Sequence, residues 1–269
     1  MTFDSSRSSS AVRRGTRPIS LRYCPTESLI SGVLTLAASA GYRITPVGFP
    51  PSSGHGGRRS HLHSPAVTSR KERLGVFGGT FDPPHIGHLV AALYSFEAIS
   101  LDRLLFVISN IPWQKVGQRR ISPPQDRLAM VEAAIAGHHG FETSTIEIER
   151  GGESYTTETL LALQERHPQS ELFLILGADA AAGIPTWRRA EHLAQLATVV
   201  VVDRPGAPVV DLPGFRVEAV TMPALGVSST ELRARVAAGA SVRWQVPDAV
   251  RHVIAERRLY RADGTDTGR

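Results

Sequence analysis

From residue 73 onward the chain alternates short apolar, β-branched runs with amphipathic stretches of helical period, and nothing else in it restricts the fold as strongly. The runs "RLGVFG" (73–78), "DRLLFVIS" (102–109), "ELFLILG" (171–177), "TVVVVDRPG" (198–206) and "FRVEAVTM" (215–222) predict strands. The stretches "HIGHLVAALYSFEAI", "PPQDRLAMVEAAIAG", "YTTETLLALQERH", "RRAEHLAQLA", "SSTELRARVAAG" and "PDAVRHVIAERRLY" predict helices, the second opened by proline at an early position. "FETSTIEIE" (141–149) predicts a further strand or hairpin. Parallel strands need long crossovers, so the alternation implies an α/β, Rossmann-like doubly wound parallel sheet with helices on both faces. Ligands of such sheets bind at the carboxyl ends of the strands. Residues 73–262 show no internal repeat and no sign of a second domain.

Residues 1–72 differ in kind. They carry ten Lys/Arg against three acids, a net of +7, whereas residues 73–269 carry twenty against twenty-two, a net of −2. The basic excess therefore belongs to the tail, and the body offers no broad face for nucleic acid. "SSRSSS" and "GFPPSSGHGGRRSHLHSP" have no period of 2 or 3.6 and predict a disordered extension. Its apolar patch "LISGVLTLAASA" (29–40) is too short to span a bilayer as a helix, so no membrane partner is expected. The patch ends in an Ala-Ser-Ala that resembles a cleavage site, yet export is the lesser expectation beside translation that begins near Val67. Abundant peptides from residues 20–60 in a mass spectrum of the mature N-terminus would overturn that start. A single cysteine, Cys24, excludes an intrachain disulfide framework and a Cys-rich zinc site, and fits a reducing, cytoplasmic setting.

The densest cluster of chemistry-bearing residues is "GVFGGTFDPPHIGHL" (75–89). Gly78 and Gly79 end the first strand, where glycine gives the backbone freedom and lets a ligand approach the main chain. Neither the G-x-G-x-x-G fingerprint nor the G-x-x-x-x-G-K-[ST] phosphate loop is present. Thr80, Phe81, Asp82 and two prolines lead instead into His85 and His88, at or near a helix N-terminus. Residues three apart lie on one side of a helix, so both imidazoles are able to converge on one object, and Gly87 between them removes bulk. The free N–H groups and positive dipole end suit a phosphate, and donating imidazoles stabilise charge on a transferred phosphoryl group. Zinc would want a third ligand, and position 86 is isoleucine where H-E-x-x-H has glutamate. No protein-held metal is expected; two histidines that merely cap a helix remain the alternative.

This run resembles the signature of the nucleotidylyltransferases with an H-x-G-H motif. Nearly all of 73–260 resembles the bacterial nicotinate mononucleotide adenylyltransferases, through "NIPWQK" (110–115), "ESYTTETL" (153–160), "LILGADAAAGIPTW" (174–187), "VVVDRPG" (200–206) and "VSSTELR" (227–233). The resemblance implies adenylyl transfer from ATP to nicotinate mononucleotide, giving deamido-NAD and pyrophosphate. It also implies that His85, His88, Lys115 and Arg233 form the catalytic set. ATP would meet Gly78, Gly79, Thr80, Phe81, His88, Asp179, Arg204, Ser228, Ser229, Thr230 and Arg233. The mononucleotide would meet Thr80, His85, Lys115, Tyr155, Thr156 and Trp187, with Tyr155 and Thr156 holding the nicotinate carboxylate, Trp187 stacking on the pyridine and Asp179 accepting ribose hydroxyls. Mg²⁺ would arrive with ATP, held largely by the phosphates. "PWQK" stands where many members carry Pro-Pro-His-Lys, so Trp113 and Gln114 must shape that loop without a third histidine.

Several of these residues also carry a bland reading. Lys115 is one of only two lysines, the other being Lys71, and a flexible ammonium suits a phosphate that moves during reaction; a solvated surface lysine is the alternative. The hydroxyls of Thr156 and Thr157 are placed to cap a helix, Asp179 at the end of a strand would otherwise be a buried structural acid, and Ser228 would otherwise be an N-cap followed by a solvated Arg233. Two rival functions remain. One is adenylyl transfer to another acceptor, such as nicotinamide mononucleotide or pantetheine phosphate. The other is a non-enzymatic nucleotide-binding or nucleic-acid-binding module driven by the tail, whose affinity would collapse with salt and on deletion of residues 1–72.

Overall fold

Leu74, Leu104, Leu172 and Val199 are all essentially fully buried, as the middle strands of a sheet covered on both faces require. The computed structural model describes residues 70–112, 120–206 and 210–261; the basic extension, its apolar patch and the loop holding Trp113, Gln114 and Lys115 lie outside them. Among the described residues six strands form one parallel sheet: β1 (Glu72–Gly79), β2 (Arg103–Ile108), β3 (Phe141–Ser144), β4 (Ser170–Gly177), β5 (Ala197–Asp203) and β6 (Val217–Thr221). Their order is β3-β2-β1-β4-β5-β6, so the chain builds outward from β1 to one edge and then returns to build from β4 to the other. This is the expected doubly wound topology, with its switch point between β1 and β4.

Strand alternation sorts the core into two layers. On one face Val76, Val107, Leu174 and Val201 pack against α3 (Ile146–Arg150), α4 (Thr156–Arg166), α5 (Ala178–Ala182) and α6 (Ala190–Leu196), through Ile146, Leu160, Ala181 and Leu193. On the other, Phe77, Phe106, Ile175 and Val202 pack against α1 (Ile86–Ala98) and α2 (Pro124–Ile135), through Ala92 and Val131. A third cluster joins Met130 of α2 to Leu232, Val250 and Ile254 of α7 (Ser229–Ala237) and α8 (Asp248–Glu256).

One expected element is corrected. "FETSTIEIE" is neither one long strand nor a hairpin: β3 stops at Ser144 and the chain turns into α3. The alternating Ile146 and Ile148 imitate a strand, but here they face two different core layers from a single turn of helix that Thr145 precedes as N-cap residue. Gly151 and Gly152, both at positive φ, then end the helix. Leu160 is 0% exposed and touches no part of the cavity described below, so Leu160→Ala should cost about 3 kcal/mol in urea unfolding with an unchanged m-value.

Candidate functional site

The pairing of β1 with β4 runs from Glu72↔Ser170 to Val76↔Leu174 and stops there, although β1 continues to Gly79 and β4 to Gly177. Past that point β1 stays with β2 as far as Gly79↔Ile108, and β4 stays with β5 as far as Gly177↔Val202. The two central strands therefore part at their carboxyl ends and leave a cavity of about 260 Å³ between them. Gly78, Gly79 and Thr80 form its β1 side, Leu174, Leu176 and Ala180 its β4 side.

Tyr155 and Thr156 are brought to the mouth by ties between distant loops. The Asn110 N–H donates to Ser154 Oγ at 2.9 Å, Asn110 Nδ2 to the Gly152 carbonyl at 2.9 Å, and the Ser154 N–H to the Ile111 carbonyl at 2.9 Å. Tyr155 is the N-cap residue of α4 and Thr156 its first helical residue, both lining the cavity. Capping does not explain the threonines: no side chain caps this helix, and Thr157 Oγ1 donates instead to the Arg188 carbonyl at 3.0 Å. That bond draws the segment holding Trp187 and Arg188 to the opposite wall. The Arg188 guanidinium lies 4.7 Å from the centre of the Tyr155 ring. Glu147 of α3, 7% exposed, lines the cavity and accepts the Thr159 hydroxyl at 2.6 Å. Sequence reasoning missed it because it lay in the stretch taken for a strand.

Asp179 is not a buried acid at a strand end. It is exposed in the first turn of α5, next to the cavity-lining Ala180 and outside the wall itself. Arg204, exposed just beyond β5, has its N–H bonded to Asp203 Oδ1.

The histidine pair sits where β1 feeds α1. Gly78 and Gly79 are not at positive φ, so the expected backbone freedom is unused there; close packing is the reason for Gly79, whose Cβ would lie 2.7 Å from the Phe81 ring. Phe81 itself takes the left-handed conformation (φ 49) and is 2% exposed, so its side chain is core, stacked edge-on against His88 at 5.2 Å. Only its main chain is left for a ligand.

His85 is the N-cap residue of α1 and His88 its third helical residue. Their rings stack with centres 3.8 Å apart and planes 30° from parallel, as a Cβ on Gly87, 3.0 Å from the His85 ring, would hinder. His88 Nδ1 accepts the His85 N–H at 3.2 Å, which leaves the proton of neutral His88 on Nε2, a hydrogen-bond donor. The helix end is less open than expected, since Ile86 N–H already donates to the Gln245 carbonyl and His88 N–H to the His85 carbonyl.

Ser228 is the N-cap of α7 and accepts the Glu231 N–H at 3.2 Å, so capping holds for this residue. Ser229 and Arg233 do more. Ser229 Oγ donates to the Pro83 carbonyl at 2.8 Å, and Arg233 donates to the Asp82 carbonyl at 2.8 Å and to Thr230 Oγ1 at 3.1 Å. The structure thus brings the two expected phosphate segments together, joined through the Asp82-Pro83 main chain. A residue not anticipated completes the frame. Arg127 of α2, fully buried, donates to the Thr80, Asn110 and Ser122 carbonyls at 2.9, 3.0 and 2.9 Å. Its place on the apolar face of α2, in line with Met130, Val131 and Ala134, was the available signal.

Burial pushes the His85 imidazole down from 6.5 to about 4, so it is neutral at pH 7. The unfolded chain binds a proton at this position below about pH 6.5 while the folded protein does not until about pH 4. Stability associated with neutral His85 is therefore full above pH 6.5 and falls as pH drops toward 4. Between pH 7 and 4.5 the protein should lose on the order of 2 kcal/mol more than His85→Gln does, read by urea unfolding at each pH.

No group of three or more His, Cys, Asp or Glu able to hold a metal occurs among the described residues, and none of their helices is long and apolar enough to cross a membrane. The cytidylyltransferase-like family model matches residues 76–235, from β1 to α7. A Corynebacterium kroppenstedtii protein named "Probable nicotinate-nucleotide adenylyltransferase" is 45% identical over 196 residues, 71% of this chain and 92% of its own length. A Streptomyces coelicolor protein of the same name is 46% identical over 188 residues, 69% of this chain and 100% of its own. Among solved structures, the Plasmodium falciparum nicotinic acid mononucleotide adenylyltransferase complexed with APC shares the fold with a TM-score of 0.58 at 17% identity, covering 70% of this chain and 97% of its own. The switch-point cavity, the stacked histidines and these relatives converge: the chain belongs to the nicotinate-nucleotide adenylyltransferase family, within the cytidylyltransferase-like fold.

Proposed function

We propose that the protein transfers the adenylyl group of ATP to nicotinate mononucleotide in the cytoplasm, forming deamido-NAD and pyrophosphate in NAD biosynthesis. The observation that carries this reading is the cavity at the β1/β4 switch point, with the stacked His85 and His88 on the helix that continues from its β1 side. The mononucleotide phosphate attacks the α-phosphorus in line and pyrophosphate leaves. With a second phosphate pKa near 6 the nucleophile is already an anion, so no general base is needed. The protein's work is to hold two anions together and to offset the charge that builds on the phosphorus oxygens.

His88 donates through Nε2–H to those oxygens, and neutral His85 stacks behind it. Arg233, Ser229 and Thr230 hold the triphosphate, with Ser228, Gly78, Gly79, Thr80 and the Phe81 main chain around the nucleotide and Asp179 and Arg204 toward its ribose and base. Lys115 contacts phosphate, as the family resemblance implies. Mg²⁺ would supply charge neutralisation when bound with ATP; no group of three or more His, Cys, Asp or Glu able to hold a metal lies among the described residues, so the ion would be held largely by the phosphates. Tyr155, Thr156 and Trp187 line the same cavity, and an aromatic ring with the first amides of α4 suits a flat pyridine carboxylate.

Purified protein with ATP, Mg²⁺ and nicotinate mononucleotide should release pyrophosphate, and faster than with nicotinamide mononucleotide; silence with both would refute the reading. His88→Ala should lower kcat by roughly two to three decades with smaller changes in KM, the signature of a lost transition-state donor. Trp187→Ala should do the reverse, raising KM for the pyridine mononucleotide more than for ATP in steady-state kinetics.

A further inference from the structure

Between the strand end at Gly79 and the first histidine the chain runs Thr80-Phe81-Asp82-Pro83-Pro84, and Asp82 is 1% exposed. Its Oδ1 accepts the Tyr260 hydroxyl at 2.8 Å, its Oδ2 faces the Ser122 N–H at 3.5 Å, and its carbonyl accepts Arg233. Tyr260 lies 178 residues later, in the turn after α8, with its ring among Met130, Leu232 and Ile254 and its hydroxyl 3.6 Å from Met130 Sδ. Burial and the Asp82 carboxylate push this phenol above its ordinary pKa, so it remains a donor throughout the working range.

Two consecutive prolines link Asp82 to His85. Their fixed φ angles take away one of the two soft main-chain rotations at each, so the link absorbs less of a shift of Asp82. A shift of the Asp82 main chain is therefore passed in part to the His85 main chain, whose N–H sets the His88 ring. The C-terminal segment touches the same loop elsewhere, through Gln245 on the Ile86 N–H and Ser229 on the Pro83 carbonyl, and Tyr260 reaches the Asp82 side chain.

We propose that Tyr260 is a positioning residue for adenylyl transfer, fixing the orientation of His85 and His88 through Asp82 and the diproline link. The proposal rests on the function given above and adds to it a role for the turn after α8. A misplaced donor costs transition-state stabilisation more than ground-state binding.

The test is Tyr260→Phe in the full chain, which keeps the ring that fills the cluster. Ile254→Val is the control, a trimmed side chain in the same cluster without contact to Asp82. At temperatures well below both melting points, Tyr260→Phe should lower kcat about tenfold with KM for both substrates within about threefold. Ile254→Val should lose Tm only. Asp82→Asn should lower kcat similarly, and combining it with Tyr260→Phe should add little, since both break one chain of contacts.

A second readout is independent of turnover. With ¹⁵N-labelled histidine, the parent should show His88 as the Nε2–H tautomer, and Tyr260→Phe should broaden or shift that signal toward a mixture. Failure of the parent to release pyrophosphate would refute the reaction while this spectrum still tests the linkage. Unchanged kcat with an unchanged His88 spectrum in folded Tyr260→Phe, or additive losses in the double variant, would overturn the proposal. Should Tyr260→Phe not fold, the His88 spectrum of Asp82→Asn decides in the same sense.

Discussion

The parting of β1 from β4 beyond Val76 and Leu174 is the constraint on which the rest of the site depends. In a doubly wound sheet the chain leaves these two neighbours in opposite directions, so no crossover closes the space between their carboxyl ends. Each strand remains bonded on its outer side, which keeps Gly79 and Gly177 in register while the inner sides separate. The cavity is thus a consequence of topology, and the segments after β1, β2, β3 and β4 need only decorate it. They do so with main-chain and hydroxyl ties, Asn110 to Ser154 on one wall and Thr157 to Arg188 on the other.

A loop that bears two histidines cannot place them to a fraction of an ångström unless its own polar groups are satisfied. Here the segment from Thr80 to His85 is buried, and buried carbonyls and carboxylates are costly without partners. Arg127 answers the Thr80 carbonyl, Arg233 the Asp82 carbonyl, Ser229 the Pro83 carbonyl and Tyr260 the Asp82 side chain. Those donors come from α2, α7 and the turn after α8. A satisfied network of this kind is rigid because losing any one bond exposes a buried group. Hence the order of the histidine loop is distributed over more than 170 residues of sequence, although both imidazoles lie within one run of fifteen.

The charged groups buried around the site are each hydrogen-bonded: Arg127 donates to three main-chain carbonyls, Asp82 accepts the Tyr260 hydroxyl and Glu147 the Thr159 hydroxyl. His85, with its proton affinity lowered by burial, contributes shape and neutral polarity, and His88 contributes a directed N–H. Arg233 and Arg127 both act as forks of hydrogen bonds, to the Asp82 carbonyl and Thr230 in the one case and to three main-chain carbonyls in the other. Such an arrangement suits anionic substrates, because fixed donors stabilise developing charge without reorganising at the moment of reaction.

The sequence by itself determined the strand–helix alternation, hence the parallel sheet, the positions of Gly79, His85 and His88 between its first strand and first helix, and the second hydroxyl-and-arginine segment at 228–233. All are local patterns, set by side-chain period, glycine placement and helix starts, and they survive without knowledge of neighbours. Only the tertiary structure decided what those patterns bind to. A strand-like "IEIE" became a helix because its isoleucines face two core layers, which carried Glu147 into the cavity wall. Thr157 turned from a cap into a tie for the Trp187 segment, Phe81 withdrew its side chain into the core, and Asp179 proved exposed. Arg127 and Tyr260 joined the site from far along the chain. Hydrogen-bond partners separated by 47 and 178 residues leave no periodic trace, because their pairing is fixed by how the layers pack and not by any neighbour in sequence.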